Sequence, residues 1–388
     1  MIYADYNGSA PICREVRDYL IKRLEDGPYA NPNAIHRLGA KTLMGMENAR
    51  ALCAKLIGAK PKQLIFNSGA TEGISSVFHS LLLDGKAEGK EYIIISGIEH
   101  SAIINLAKCY SERGYKTLVT PVNSDGVVQL EPLKAWLAEY GQKIALVSIM
   151  AANNETGVIQ PYKEIAKLCR AHKVPYLCDT TQFIGKTDFN FAESEIDYAV
   201  LSGHKIGAMT GTGLLIAHDP STLKCMIIGG GQEKNLRGGT QNYIGNETLA
   251  VALDTFEKNK HKLAKLRAGR DQFEATIKAQ FPDVVILGEK AARLDSTTYI
   301  SYPGLHGQAV QIELESKGIF VTTSSACSDN EPVTSKVLKA MGVTDAVGRG
   351  VVRISLGLCS DENLYQEISK ALIEAYRKLT PIKSHQSL

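Results

Sequence analysis

Strand-like and helix-like segments alternate along most of this 388-residue chain, and the alternation predicts an α/β fold around a mainly parallel sheet. Three observations carry that prediction. Short, apolar, β-prone runs recur at 63–66, 92–96, 116–120, 143–149, 174–178, 197–201 and 213–217. Amphipathic stretches separate several of them, as the crossovers of a sheet covered on both faces require. Most runs end in polar or glycine-containing turns, and strand ends are where such sheets carry functional groups. Past residue 240 the texture changes, which predicts a second, smaller α/β domain.

In chain order, residues 14–26 place Val16, Tyr19, Leu20 and Leu24 on one helical face, and Gly27-Pro28 ends that helix. A turn-rich loop at 31–39 precedes a helix over about 40–57, with Leu43, Met46, Cys53 and Leu56 inside. The strand 63–66 passes through the tight turn Asn67-Ser-Gly-Ala-Thr71 into a helix running to Leu83. Small residues there let backbone N–H groups approach an anion, which a helix N-terminus also favours. A plain helix cap explains the same residues.

Strands at 92–96 and 116–120 flank a helix over about 101–113 that opens after Glu99-His100. The strand 143–149 runs into the polar turn 153–157, and a helix over 162–172 leads to the strand 174–178 and Asp179-Thr-Thr-Gln182. The last two runs enclose Ser202-Gly-His-Lys205. Beyond Arg237-Gly-Gly-Thr240 come a long charged helical segment at 247–280 and strands at 284–287, 296–302, 319–323 and 351–356. Helices at about 307–317, 333–341 and 361–379 complete that part.

Composition narrows the function classes. With 44 basic and 41 acidic residues, the chain lacks the basic excess of a nucleic-acid binder. Nine scattered histidines and eight cysteines without a C-x-x-C pair predict no metal site. The N-terminus lacks the pattern of a signal peptide, and no apolar run approaches the ~18 residues of a membrane span. A reduced, cytoplasmic protein is predicted, with neither nucleic acid nor membrane as partner.

Lys205 stands at the end of a buried strand among small polar residues. It reads either as a lysine snorkelling from a loop or as an amine that condenses with an aldehyde cofactor. The second reading needs partners for a ring nitrogen, a ring oxygen and a phosphate. Asp179 suits the nitrogen, Gln182 the oxygen, and His100 the ring face. Gly69, Ala70, Thr71, Ser202 and His204 suit the phosphate. Each alone reads equally as a cap or turn residue; their joint occurrence at strand ends favours the site.

The motifs Ser68-Gly-Ala-Thr-Glu72, Glu99-His100, Asn153-Asn-Glu-Thr-Gly157, Asp179-Thr-Thr-Gln182, Ser202-Gly-His-Lys205, Arg237-Gly-Gly-Thr240 and Ser324-Ser-Ala-Cys327 occur in this order. Together they resemble the cysteine desulfurases of the NifS/IscS type, pyridoxal 5′-phosphate (PLP) enzymes of the class V aminotransferase family. The resemblance runs from Tyr3 to Gly357. It implies fold type I of the PLP-dependent transferases, with a seven-stranded sheet in a large domain over 14–257. The small domain would be 258–388 with 1–13, carrying a catalytic cysteine loop at 322–332.

By the same resemblance, Lys205 is the Schiff-base lysine, His100 the ring-stacking acid/base, Asp179 the pyridinium partner and Gln182 the contact to the ring oxygen. Thr71, Ser202 and His204 bind phosphate, and Thr240 joins them from the other subunit of a homodimer. Asn154 and Arg353 hold the substrate carboxylate. Cysteine displaces Lys205, which then takes the Cα proton. The Cys327 thiolate attacks Sγ, alanine leaves, and the persulfide passes to a protein acceptor in iron–sulfur cluster assembly or tRNA thiolation. That relay asks for a polar, mobile loop around Cys327.

The chain departs from the family pattern at Asn7-Gly8-Ser9-Ala10-Pro11, where a Thr-Thr pair usually precedes Pro. Acidic residues (Asp329, Glu331) follow Cys327, and the C-terminus lacks the longer scaffold-docking tail. These leave open the acceptor and what the N-terminal segment contributes. Rival readings are a selenocysteine lyase, a class V aminotransferase with no need of Cys327, and a non-catalytic binding protein on the same fold.

Overall fold

The computed structural model of the chain describes residues 1–323, 334–358, 360 and 363–382. Seven strands make the central sheet: β2 (Leu64–Asn67), β3 (Tyr92–Ser96), β4 (Lys116–Thr120), β5 (Ile144–Ser148), β6 (Tyr176–Asp179), β7 (Tyr198–Ser202) and β8 (Gly213–Ala217). β1 (Ile2–Tyr3) lies elsewhere. The spatial order is β2-β8-β7-β6-β5-β3-β4. Only β8 is reversed, pairing antiparallel with both β2 and β7; the other pairings are parallel.

Both faces are covered because the strands alternate with period two. In β2, Leu64 and Phe66 enter one core, with α1 (Arg14–Asp26), α2 (Arg37–Ile57), α5 (Leu130–Tyr140) and α6 (Tyr162–Ala171). Ile65 enters the opposite core, with α3 (Ala70–Leu82) and α4 (Ser101–Glu112). A third core gathers Ile2 and Ala4 with residues between Phe273 and Leu379. Its strands are β9 (Val285–Ile286), β10 (Thr297–Ser301) and β12 (Val351–Ser355) in the antiparallel order β12-β10-β9. β1 pairs in parallel with β11 (Ile319–Phe320), which brings the N-terminus back to the C-terminal body.

Several elements differ from the sequence reading. No element is predicted between 121 and 142, yet α5 forms there: Pro132 sits in its first turn, where proline is tolerated, and Leu133 and Leu137 share a buried face. The charged segment 247–280 is two helices, Tyr243–Asn259 and Leu263–Gln280, joined through a 3₁₀ turn at Lys260–Lys262. Of the helix read over 333–341, Lys336–Ala340 is described. Among the described residues, no helix is long and apolar enough to cross a membrane.

One buried ion pair ties the glycine-rich segment around 231–240 to the sheet. Arg50 donates Nη1 and Nη2 to the two oxygens of Glu233 at 2.8 Å each, and the Phe66 N–H donates to the same carboxylate at 2.9 Å. The side chains are 6% and 1% exposed. Removing Glu233 leaves the buried Arg50 paired only with the half-exposed Glu47, whose carboxylate accepts from Nε at 3.0 Å. Glu233→Gln is therefore expected to cost about 3–5 kcal/mol of stability, read as a shift in chemical denaturation.

Candidate active site

The sheet's one reversed strand assembles an anion cradle. Gly213 is paired with Asn67 on β2 and with Ser202 on β7, so the turn before α3 and the end of the lysine strand become neighbours. A Cβ at Gly213 would lie 2.4 Å from the Gly69 Cα, so only glycine permits this approach. Ser202 Oγ accepts from the Ala70 N–H at 2.8 Å. The first intrahelical bond of α3 runs from Gly73 N to Gly69 O at 3.2 Å, so the amides of Thr71 and Glu72 have no helical acceptor. The exposed Thr71 hydroxyl stands beside them.

Lys205 lies in the 3₁₀ turn Gly203–Lys205 that follows β7. Its Nζ donates to the carbonyls of Asn7 at 2.8 Å and Gly8 at 2.7 Å. His204 Nδ1 lies 3.0 Å from Ser9 Oγ. Burial, then the positive charges of Lys205 and Lys186, push the His204 imidazole down to about 4. It therefore meets a ligand as a neutral ring at neutral pH.

The other sequence-predicted residues fall around this lysine on the carboxyl edge of the parallel strands. Asp179 ends β6 at 7% exposure, and its Oδ1 accepts from the Thr181 N–H at 3.0 Å. His100 caps α4, and its Nδ1 accepts from the Ala102 N–H at 3.1 Å, which leaves the proton of the neutral ring on Nε2. His100 is exposed. Gln182 is buried; Nε2 donates to Asn7 O at 2.9 Å, and Oε1 accepts from Lys186 Nζ at 2.5 Å.

Arg353 comes from β12, on the other body. Nη2 pairs with Asp5 Oδ1 at 2.6 Å, Nη1 donates to the Asn154 carbonyl at 2.8 Å, and the buried Nε has no partner among the described residues. Asn154 thus meets Arg353 through its backbone. Thr240 is exposed in a hollow shared with Asn67, Ser68 and Arg237 of its own chain. Cys327 and the loop 324–332 lie outside the described residues.

Asp5, Asn7, Lys186 and Glu99 also belong here, although sequence reasoning assigned them no role. Glu99 stood in the Glu-His motif, the one available signal. Its Oε1 accepts from the Ser96 hydroxyl and, at 3.1 Å, from the Met150 N–H; Oε2 is buried with no partner among the described residues.

The donor set fits pyridoxal phosphate. Helix-terminal amides and hydroxyls suit its phosphate, the Lys205 amine its aldehyde, the Asp179 carboxylate its ring nitrogen, and the exposed His100 its face. Fold and site together define a PLP-dependent enzyme of fold type I. The family described as Aminotransferase class-V matches residues 2–366. A protein of Trichormus variabilis named "Cysteine desulfurase 2" is 32% identical over 393 residues, covering 100% of this chain and 96% of its own. A solved structure titled "NIFS-LIKE PROTEIN" superposes with a TM-score of 0.89 at 31% identity, covering 97% of this chain and 100% of that one. Another, "SspA in complex with cysteine", gives 0.80 at 28% identity, covering 92% and 99%. The chain belongs to the class V aminotransferase family, whose members depend on PLP.

Burial pushes the Glu99 carboxyl from 4.5 up to about 8, against the Ser96 and Met150 hydrogen bonds and with a smaller push from Asp179. Between those values the folded protein keeps a proton that the unfolded chain releases, so stability falls as pH rises across that window. Glu99→Gln is expected to flatten the fall, gaining on the parent at pH 8 relative to pH 5. Denaturation midpoints at the two pH values check it.

Proposed function

We propose that the protein is a cysteine desulfurase, converting L-cysteine to L-alanine and passing the sulfur on from a Cys327 persulfide. One observation carries the reading. The Lys205 amine, an anion cradle and an arginine whose buried Nε–H has no partner among the described residues converge at one sheet edge. The resemblance at Ser324–Cys327 and the relatives named for desulfurase activity supply the substrate.

Bound PLP would supply an aldehyde for the substrate amine and a ring that accepts electrons from Cα. Thr71, Ser202, His204 and the Gly69–Ala70 turn would hold the phosphate. Asp179 would keep the ring nitrogen protonated, Gln182 would donate to the ring oxygen, and His100 would serve the ring as acid and base. Arg353 takes the substrate carboxylate, using Nε, with Asn154 behind it. Lys205 takes the Cα proton. The Cys327 thiolate attacks Sγ, its new S–S bond forming as the C–S bond breaks. A protein acceptor in iron–sulfur cluster assembly or tRNA thiolation receives the persulfide sulfur. The six described cysteines are unpaired thiols, which fits a reducing cytoplasm. The three cores support a division at about residue 257 into a large domain (14–257) and a small one (258–388 with 1–13), although Leu287, Leu294, Tyr299, Val337, Leu338, Met341 and Val351 pack into the large core.

Purified protein given PLP, L-cysteine and a thiol reductant is expected to release sulfide and alanine in equal amounts. Lys205→Ala and Cys327→Ala should each lose about a hundredfold or more. Full activity in Cys327→Ala would point instead to an aminotransferase.

The reading includes a homodimer in which Thr240 completes the neighbouring site. Tyr29, Ile35, Leu38 and Ile228 are exposed, and an Asn33–Gln241 bond of 3.1 Å holds the first loop beside Thr240. A second copy covering these side chains would bring the two sites together. Ile35→Asp is expected to yield monomers by light scattering and to weaken PLP retention.

A further inference from the structure

The N-terminal segment, a departure from the family pattern in sequence, crosses the site as a strap. It leaves the small body at β1 and the Asp5–Ser355 bridge, and reaches the lysine loop where Ala10 N donates to His204 O at 2.8 Å and Cys13 N to Gly207 O at 3.2 Å. Asn7, 1% exposed, is bonded in both directions. Towards the small body, its N–H donates to Ser355 Oγ and its Nδ2 to Thr297 Oγ1, both at 3.0 Å. Towards the large body, its carbonyl accepts from Lys205 and Gln182, and its Oδ1 accepts from Lys186 Nζ at 2.9 Å.

Lys186 is unusual in its company. A lysine kept for charge balance sits on a carboxylate; this amine donates to two uncharged amide oxygens, Asn7 Oδ1 and Gln182 Oε1. The nearby carboxylate, Asp5, is engaged by Arg353. Burial, then the charges of Lys205 and Arg353, push the Lys186 amine well below the ordinary lysine range. A neutral amine has two N–H groups, matching the two acceptors.

We propose that Lys186 and Asn7 are positioning residues for Lys205 and Gln182. Lys186 pins the Asn7 side chain, and the pinned strap presents the Asn7 and Gly8 carbonyls to the Lys205 amine. The same amine holds Gln182 Oε1, so the Gln182 amide cannot flip without losing that bond, and Nε2 keeps one N–H beyond Asn7 for the ring oxygen. This rests on the PLP-enzyme reading above and assigns to the strap a role that the missing Thr-Thr pair left open.

The test uses the PLP-loaded protein, with Lys186→Met, Asn7→Ala and the double variant. The pH midpoint of the bound-cofactor absorbance and the kcat and KM for L-cysteine are measured. Charged groups facing the two lysines are Asp5 on the strap, His204 on the lysine loop and Arg353 on β12. The strap carbonyls favour a protonated nitrogen on Lys205, so both single variants should lower the midpoint, by about one pH unit. They should cut kcat roughly tenfold with KM within about twofold, and the double variant should be no worse than the worse single. An unchanged midpoint, additive losses, or an upward shift in Lys186→Met overturns the proposal; the last would mean that Lys186 acts by its charge alone. If Lys186→Met does not fold, Asn7→Ala makes the same test by deleting one side chain. Absence of alanine and sulfide from the parent would refute the desulfurase reading, while the absorbance midpoints would still decide the positioning roles.

Discussion

The site depends on one contact of backbone with backbone. Reversing β8 places Gly213 between Asn67 and Ser202, and the missing Cβ lets the Gly69 turn close over it. Two helix-terminal amides, a serine hydroxyl and the strand leading to Lys205 thereby share one corner. None of these groups is unusual alone. Their chemistry comes from register, and a side chain at 213 would meet backbone atoms that have nowhere to yield.

Around that corner buried and half-buried charges lie close together. Burial is the first cause that lowers Lys186 and His204, and the second is positive field: Lys205 and Arg353 at Lys186, Lys205 chiefly at His204. Asp5 offsets part of it through Arg353. Lys205 and Arg353 are the cations placed to attract an anionic ligand, and electrostatic attraction in a dry cleft exceeds what the same charges achieve in water. The buried Arg353 Nε, without a partner among the described residues, is a sign of an unmet demand for an acceptor.

What the sequence made legible was local. Asp179, Ser202 and Lys205 each follow an apolar β-run, so their place at strand ends can be read from periodicity, and the fold class with them. The Asn67–Thr71 turn is likewise readable from its small residues. Asn7 and Lys186 were not legible, because their roles arise only when β1 returns to pair with β11, more than 300 residues away in sequence. The Glu99 side chain was visible in a motif, but its protonation comes from burial that no linear pattern records. α5 was missed for a different reason: a proline at 132 reads as a breaker unless its place in the first turn is known.

The strap also bears on how the two bodies act together. Arg353 lies on β12 of the small sheet and Lys205 in the turn that follows β7 of the large one, so the group proposed for the substrate carboxylate and the group proposed for the Cα proton are carried by separate sheets. Asn7 is hydrogen-bonded to residues of both, and the Asn154 carbonyl accepts from Arg353 and Asn7 alike. A shift of the small body would therefore pull on the carbonyls that hold Lys205, as well as on Arg353. Under the proposed roles, substrate grip and lysine orientation form one mechanical unit. Proton transfer tolerates little misplacement of donor and acceptor, which is a physical reason for an active site to route both through a single buried asparagine.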